Sequence, residues 1–135
     1  MIPDFTDTGY LPPGVYPATL DEIAARFGLQ SEIRRAEMES IRWLVDLARS
    51  AGVSRIILNG SFVTDIMEPN DVDCVLLIES EFPTDAASAA ELNSGLPFLE
   101  IKLVGIEDFN IYVNRVFASD RQGIPKGMVE IIYEP

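Results

Sequence analysis

The chain contains no histidine, one cysteine, one tryptophan, and ten lysines and arginines against 22 aspartates and glutamates. Without histidine, general-base work falls to a carboxylate and a His-ligated zinc site is excluded. The lone Cys74 cannot close an intramolecular disulfide, which suits a reducing cytoplasm. A formal charge of -12 opposes unaided binding to long RNA or DNA, since affinity for a polyanion comes mainly from Lys and Arg neutralising phosphates. Nucleotides are less affected, because one cation-loaded pocket overrides the mean field locally. No apolar run is long enough to span a membrane, and Asp4 and Asp7 stand where a signal peptide would be basic, so the expectation is a cytoplasmic protein without membrane attachment. What is present is 135 residues at 47% hydrophobic content, enough for one folded domain whose core needs no staples.

Residues 1–18 carry Pro3, Gly9, Pro12, Pro13, Gly14 and Pro17, which forbid continuous helix and disfavour a central strand. They read as an extended arm, but Phe5, Tyr10, Leu11, Val15 and Tyr16 make it too apolar for a solvated tail, so it should dock on the domain or on a partner. A single domain then spans 19–135. Thr19 to Glu22 matches a capping box that opens a short helix to Phe27, stopped by Gly28. Ser31 caps the longest helix, over 32–50, with Ile33, Ile41, Leu44, Val45 and Ala48 on one stripe and Gly52 past its end. Its Arg34, Arg35, Arg42 and Arg49 form either a surface for an acidic ligand or ordinary helix pairs with Glu32, Glu37, Glu39 and Asp46.

Further on, Thr84 is placed to cap a small helix to Leu92, and 97–104 alternates as a strand with Leu99, Ile101 and Leu103 on one face and Glu100 and Lys102 on the other. Phe109, Tyr112, Val113 and Val116 form a helical stripe, and 128–133 reads as a closing strand. The elements predict an α/β (α+β) fold with a mixed, twisted sheet of about four or five strands and helices mainly on one face.

The residues that carry chemistry lie between positions 57 and 78. A strand ends at a Gly60-Ser61 turn into a short helix that Pro69 and Asn70 terminate, and a second strand follows with Asp71 and Asp73 on one face and Val72, Cys74 and Leu76 on the other. Two adjacent carboxylates suit a hard divalent cation, and magnesium leaves positions open for substrate phosphates. Gly60 permits close backbone approach, and the N-H groups near Ser61 suit an anion. The plainer alternative is a loop at Gly60-Ser61 and a solvated sheet face at Asp73. Arg121 and Lys126 flank a glycine-containing turn at 120–127, which is either only a turn or a means of bringing two cations to an anionic ligand.

Gly-Ser, nine residues, then Asp-Val-Asp and an apolar run resembles the core motif of the nucleotidyltransferase superfamily related to DNA polymerase beta. With the proline-rich arm and the segment from Asp120 to Gly127, most of the chain is similar to bacterial proteins of unknown function with nucleotidyltransferase-like cores. The first resemblance implies that Gly60 and Ser61 hold a triphosphate and that Asp71 and Asp73 bind magnesium, or manganese in its place. Glu100 matches the superfamily's third carboxylate, a metal ligand that accepts the proton of an attacking hydroxyl, with Lys102 in range of substrate. The plain reading of Glu100 is a solvent-facing partner of Lys102. The implied activity moves a nucleoside monophosphate from a nucleoside triphosphate to an acceptor hydroxyl. Asn59 stands where the superfamily carries an apolar residue, and Phe62 where small members carry a basic one. With the net charge and small size, the missing basic residue at Phe62 points to the alternative, a catalytically inactive module such as the acidic half of a toxin-antitoxin-like pair. A domain this small calls for a basic protein partner or a second copy to complete its site.

Overall fold

In the computed structural model, which describes residues 2–133, a five-stranded mixed sheet is covered by three helices on one face and by a fourth on part of the other. The strands are β1 (Val15–Ala18), β2 (Arg55–Asn59), β3 (Val72–Leu77), β4 (Leu99–Val104) and β5 (Met128–Ile131), in spatial order β1-β5-β2-β3-β4. The β2 strand pairs antiparallel with β3 and β5, while β1 with β5 and β3 with β4 are parallel. The last strand therefore lies inside the sheet. The end of the arm supplies the outer strand beyond it, where Pro17 sits at an edge that tolerates a missing donor.

Helices α1 (Leu20–Phe27), α2 (Glu32–Ala51) and α3 (Ala86–Ser94) pack on the first face. The capping box forms as its sequence requires: Glu22 N donates to Thr19 Oγ1 at 3.2 Å, and Thr19 N to Glu22 Oε1 at 3.0 Å. Ser31 caps α2, and Gly52 ends it at φ +86°, a left-handed position. From α2, Ile41, Leu44, Val45 and Ala48 are fully buried against Ile56, Leu58, Val72, Cys74 and Leu76. Each large side chain of that stripe contributes about 1.5–3 kcal/mol by leaving water. The cap of α3 is Asp85, which accepts from Ser88 N at 3.1 Å; Thr84 donates instead to Ser50 O at 2.7 Å and ties the helix entry to α2.

On the second face, α4 (Ile106–Ile111) continues into a π-helical turn, Tyr112–Val116. The α-helical stripe over Phe109, Tyr112, Val113 and Val116 consequently breaks at its last member. Phe117 N donates to Tyr112 O at 2.8 Å across five residues, so Phe117 turns inward while Val116 is exposed. Phe109 and Phe117 pack with Ile57, Val75, Leu77 and Met128. Arg55 crosses to Glu130 with two 2.7 Å hydrogen bonds and lies 4.9 Å from the Phe109 ring centroid, which helps dock α4 on the sheet. No helix among the described residues is long and apolar enough to cross a membrane.

Candidate functional site

At the C-terminal end of β2 the chain turns through Gly60 at φ +87° and ψ -173°, a region open to glycine. A Cβ at Gly60 would lie 3.0 Å from Asp71 Oδ2 and 3.1 Å from Asp73 N, so glycine also lets β2 and β3 close on each other. After the turn, the short helix expected to run to Pro69 and Asn70 reduces to one 3-10 turn, Ser61–Val63. The reason is a residue from another element. Buried Arg34 of α2 donates to Phe27 O at 3.0 Å, Phe62 O at 2.7 Å and Thr64 O at 2.8 Å, and also to Ile66 O. These carbonyls are satisfied by a guanidinium instead of by helical N-H groups. Of the two readings for the arginines on this helix, neither describes Arg34: it is an internal clamp.

Asp71 lies just before β3, not within it. Its Oδ1 accepts from Ser61 N at 3.1 Å and from the Ser61 hydroxyl, so the turn's donors hold a carboxylate. Asp73 lies within β3, directly opposite Asn59 on β2 and Glu100 on β4. Because paired residues share a face, Asn59, Asp73 and Glu100 form a row across three strands on the α4 side. Burial raises the Asp73 pKa to about 6, with the Asp71 charge and a hydrogen bond to Glu100 adding to it and Lys126 opposing it.

A cleft of about 410 Å³ opens over this corner, lined by Gly60, Ser61, Asp71, Asp73, Arg121 and Lys126 together with Tyr10 and Asn59. The turn that carries Arg121 and Lys126 is held there by the arm: Tyr10 OH donates to Asp120 Oδ2 at 2.7 Å, and Lys126 Nζ lies 6.0 Å from the Tyr10 ring centroid. That bond, with N-H groups from Ile124 and Gln122, holds Asp120 below the usual carboxylate range. Glu100 and Lys102 do not line this cleft. They line a neighbouring hollow of about 190 Å³ that shares Asp73, Val116 and Phe117 with it. A larger hollow of about 580 Å³ at the opposite end of the sheet, beside Arg49, Ser54 and Glu79, brings together none of these groups.

Among the described residues, no group of three or more cysteine, aspartate or glutamate side chains converges to hold a metal ion. The all-oxygen pair Asp71 and Asp73, where the Asp71 charge adds to the burial that raises Asp73, nevertheless suits a hard cation. Magnesium is commonly held by one or two carboxylates with phosphates and water completing its shell.

Several members of the site left weak traces in the sequence. Tyr10 belongs to a segment with no motif, Phe117 falls one residue outside the α-helical stripe, and Asn59 read only as a departure from an apolar pattern. Glu37 resembled a solvated helix acid, yet it is fully buried with no partner on either oxygen. Burial raises its pKa to about 7, against the pull of Arg34 and with the push of Asp71.

No curated protein and no solved structure matches the chain. The model of a family of unknown function, DUF6932, matches residues 3–132. That match covers nearly all of the sequence, and the chain belongs to the DUF6932 family.

Proposed function

We propose that the protein is a minimal nucleotidyltransferase that moves a nucleoside monophosphate from a nucleoside triphosphate to an acceptor hydroxyl. The observation that carries this reading is the meeting of the Gly60-Ser61 turn, Asp71 and Asp73 with the two cations Arg121 and Lys126 around one cleft. Ser61 N-H and its hydroxyl are the donors for a phosphate oxygen, which would take the place of the Asp71 carboxylate now bound there. Released from Ser61, Asp71 would join Asp73 in holding magnesium, which supplies charge neutralisation for the transferring phosphoryl group. Arg121 and Lys126 neutralise the remaining phosphate charge. Glu100, paired with Asp73 across β3 and β4 in the adjoining hollow, would take the acceptor's proton as the acceptor oxygen bonds to the α-phosphorus and the bond from that phosphorus to the bridging oxygen breaks, pyrophosphate leaving with that oxygen and its electron pair. Lys102, in the adjoining hollow, would contact the acceptor.

A second reading is favoured by one observation: Ser61's donors are already satisfied by Asp71, as they would be in a domain that binds no triphosphate. In that case the acidic surface serves a basic protein partner, as in a toxin-antitoxin-like pair. One experiment separates the two. Thermal unfolding is followed with each nucleoside triphosphate, with and without magnesium, for the natural protein and for Asp71→Asn/Asp73→Asn. A ligand at about 100 times its dissociation constant adds roughly 2.7 kcal/mol, a clear rise in midpoint. The transferase reading expects a magnesium-dependent rise that the double variant loses; no rise with any nucleotide sinks it in favour of the binding module.

A further inference from the structure

Two walls of the 410 Å³ cleft lie far apart along the chain: the Gly60-Ser61 turn, and the turn that carries Arg121 and Lys126. The arm meets both of them at Tyr10. On one side Tyr10 pairs with Thr64 in an isolated antiparallel bridge, and Asp65 N donates to Gly9 O at 3.0 Å. Thr64 in turn donates its hydroxyl to Ser61 O at 2.7 Å, while its carbonyl accepts from Arg34 at 2.8 Å. That wall is therefore fixed to α2. A Cβ at Gly9 would collide with the Asp65 carboxylate, so the arm is seated closely on it.

On the other side the Tyr10 hydroxyl donates to Asp120 Oδ2 at 2.7 Å, and Asp120 Oδ1 accepts from Gln122 N at 2.9 Å and Ile124 N at 3.0 Å. Both oxygens of the carboxylate are thus occupied. A hydrogen bond to a charged acceptor is among the stronger kinds, and removing this one frees an aspartate directly beside Arg121 and within the field of Lys126. Neither cation is in an ion pair: among the described residues those pairs are Arg49 with Asp46 and Arg55 with Glu130. In a chain with 22 acidic residues, two cations lining the cleft without an ion pair are open to an anion bound there. We propose that Tyr10 is a positioning residue: by joining the Ser61 wall to Asp120, it sets the spacing of Arg121 and Lys126 from the Ser61 donors and keeps Asp120 from pairing with either cation. The inference rests on the nucleotidyl-transfer reading of the cleft, and it adds the arm to the site.

The test measures dissociation constants for ATP, with magnesium present, on the natural protein, on Tyr10→Phe, Arg121→Gln and Lys126→Gln, and on Tyr10→Phe combined with either cation variant. Phenylalanine keeps the ring and removes only the hydroxyl, and the ¹⁵N amide signals of Gln122 and Ile124 report whether the turn has moved. The expected result is roughly tenfold weaker ATP binding by Tyr10→Phe, with both amide signals displaced. Because Tyr10 acts through the cations, its substitution costs less in the Arg121→Gln and Lys126→Gln proteins than in the natural one. Equal losses in all three backgrounds, or ATP binding that Tyr10→Phe leaves unchanged, overturn the positioning role and leave the nucleotide site standing. ATP that does not bind the natural protein overturns the nucleotidyl-transfer reading and this proposal together.

Discussion

Replacing Glu37 with glutamine gives a pH-dependent stabilisation whose sign and size follow from where Glu37 sits. Its side chain is fully buried on α2, three residues from Arg34, within the field of Asp71, and without a hydrogen-bond partner. The folded protein holds the Glu37 proton to about pH 7, whereas the ordinary value is 4.5. Between those values the native state binds more protons than the unfolded chain, so stability is fully present below pH 4.5 and is lost as pH rises through about 7. At 1.36 kcal/mol per pH unit the loss approaches about 3 kcal/mol above pH 8. Glutamine has nearly the same shape and no charge, so its own unpartnered atoms add an offset that does not vary with pH. Urea unfolding of both proteins at pH 4.5, 6, 7.5 and 9 should show the variant gaining on the natural protein by about 3 kcal/mol across the series. The raised Asp73 pKa gives both proteins the same direction of pH dependence and largely cancels in the difference. A difference that stays constant with pH would refute the account, because it would mean that Glu37 titrates alike in the folded and unfolded states.

Arg34→Met should cost more than about 3 kcal/mol in urea unfolding, since the backbone carbonyls of Phe27, Phe62, Thr64 and Ile66 lose their donor at once and Glu37 loses its neighbouring cation; a loss below about 1 kcal/mol would show that water replaces the guanidinium. Gly60→Ala forces a side chain into the φ +87° turn and to within 3.0 Å of Asp71 Oδ2, and should lower stability by roughly 1–3 kcal/mol. An unchanged unfolding midpoint would mean that the turn relaxes without cost. The Asp71→Asn/Asp73→Asn experiment bears on ligand binding and completes the set.

The sequence carried the local rules of the fold because those rules act between near neighbours. The Thr19 capping box, the Ser31 cap and Gly52 delimit α1 and α2 within a residue of the bounds that spacing predicts. Alternation in β4 places Leu99, Ile101 and Leu103 against the core and leaves Glu100 and Lys102 on the other face. Boundaries failed where a distant group competed with the local preference. The segment after Ser61 looks helical until Arg34, 28 residues upstream of Phe62, takes its carbonyls. Thr84 has the chemistry of a cap but is drawn to Ser50, leaving Asp85 to cap α3. The Val116 stripe fails because an α-helical period does not include a π turn.

The same division holds at the site. Gly60, Ser61, Asp71 and Asp73 are close along the chain and have a spacing and strand phase visible in one dimension. Register decided the rest. Pairing of Asp73 with Asn59 and Glu100 depends on how β3 slides between β2 and β4, and Tyr10 reaches Asp120 across 110 residues only because β1 runs beside β5. The charges of Glu37, Arg34 and Asp73 were plain in the sequence, but what they do was not, because a charge's behaviour depends on the water removed from it and on partners brought by other elements. The sequence by itself determined the elements, the acidity and the paired carboxylates, through composition and short-range periodicity. Tertiary packing alone decided which carbonyls Arg34 would clamp, which carboxyls would hold protons, and which amide oxygen would be buried without a partner.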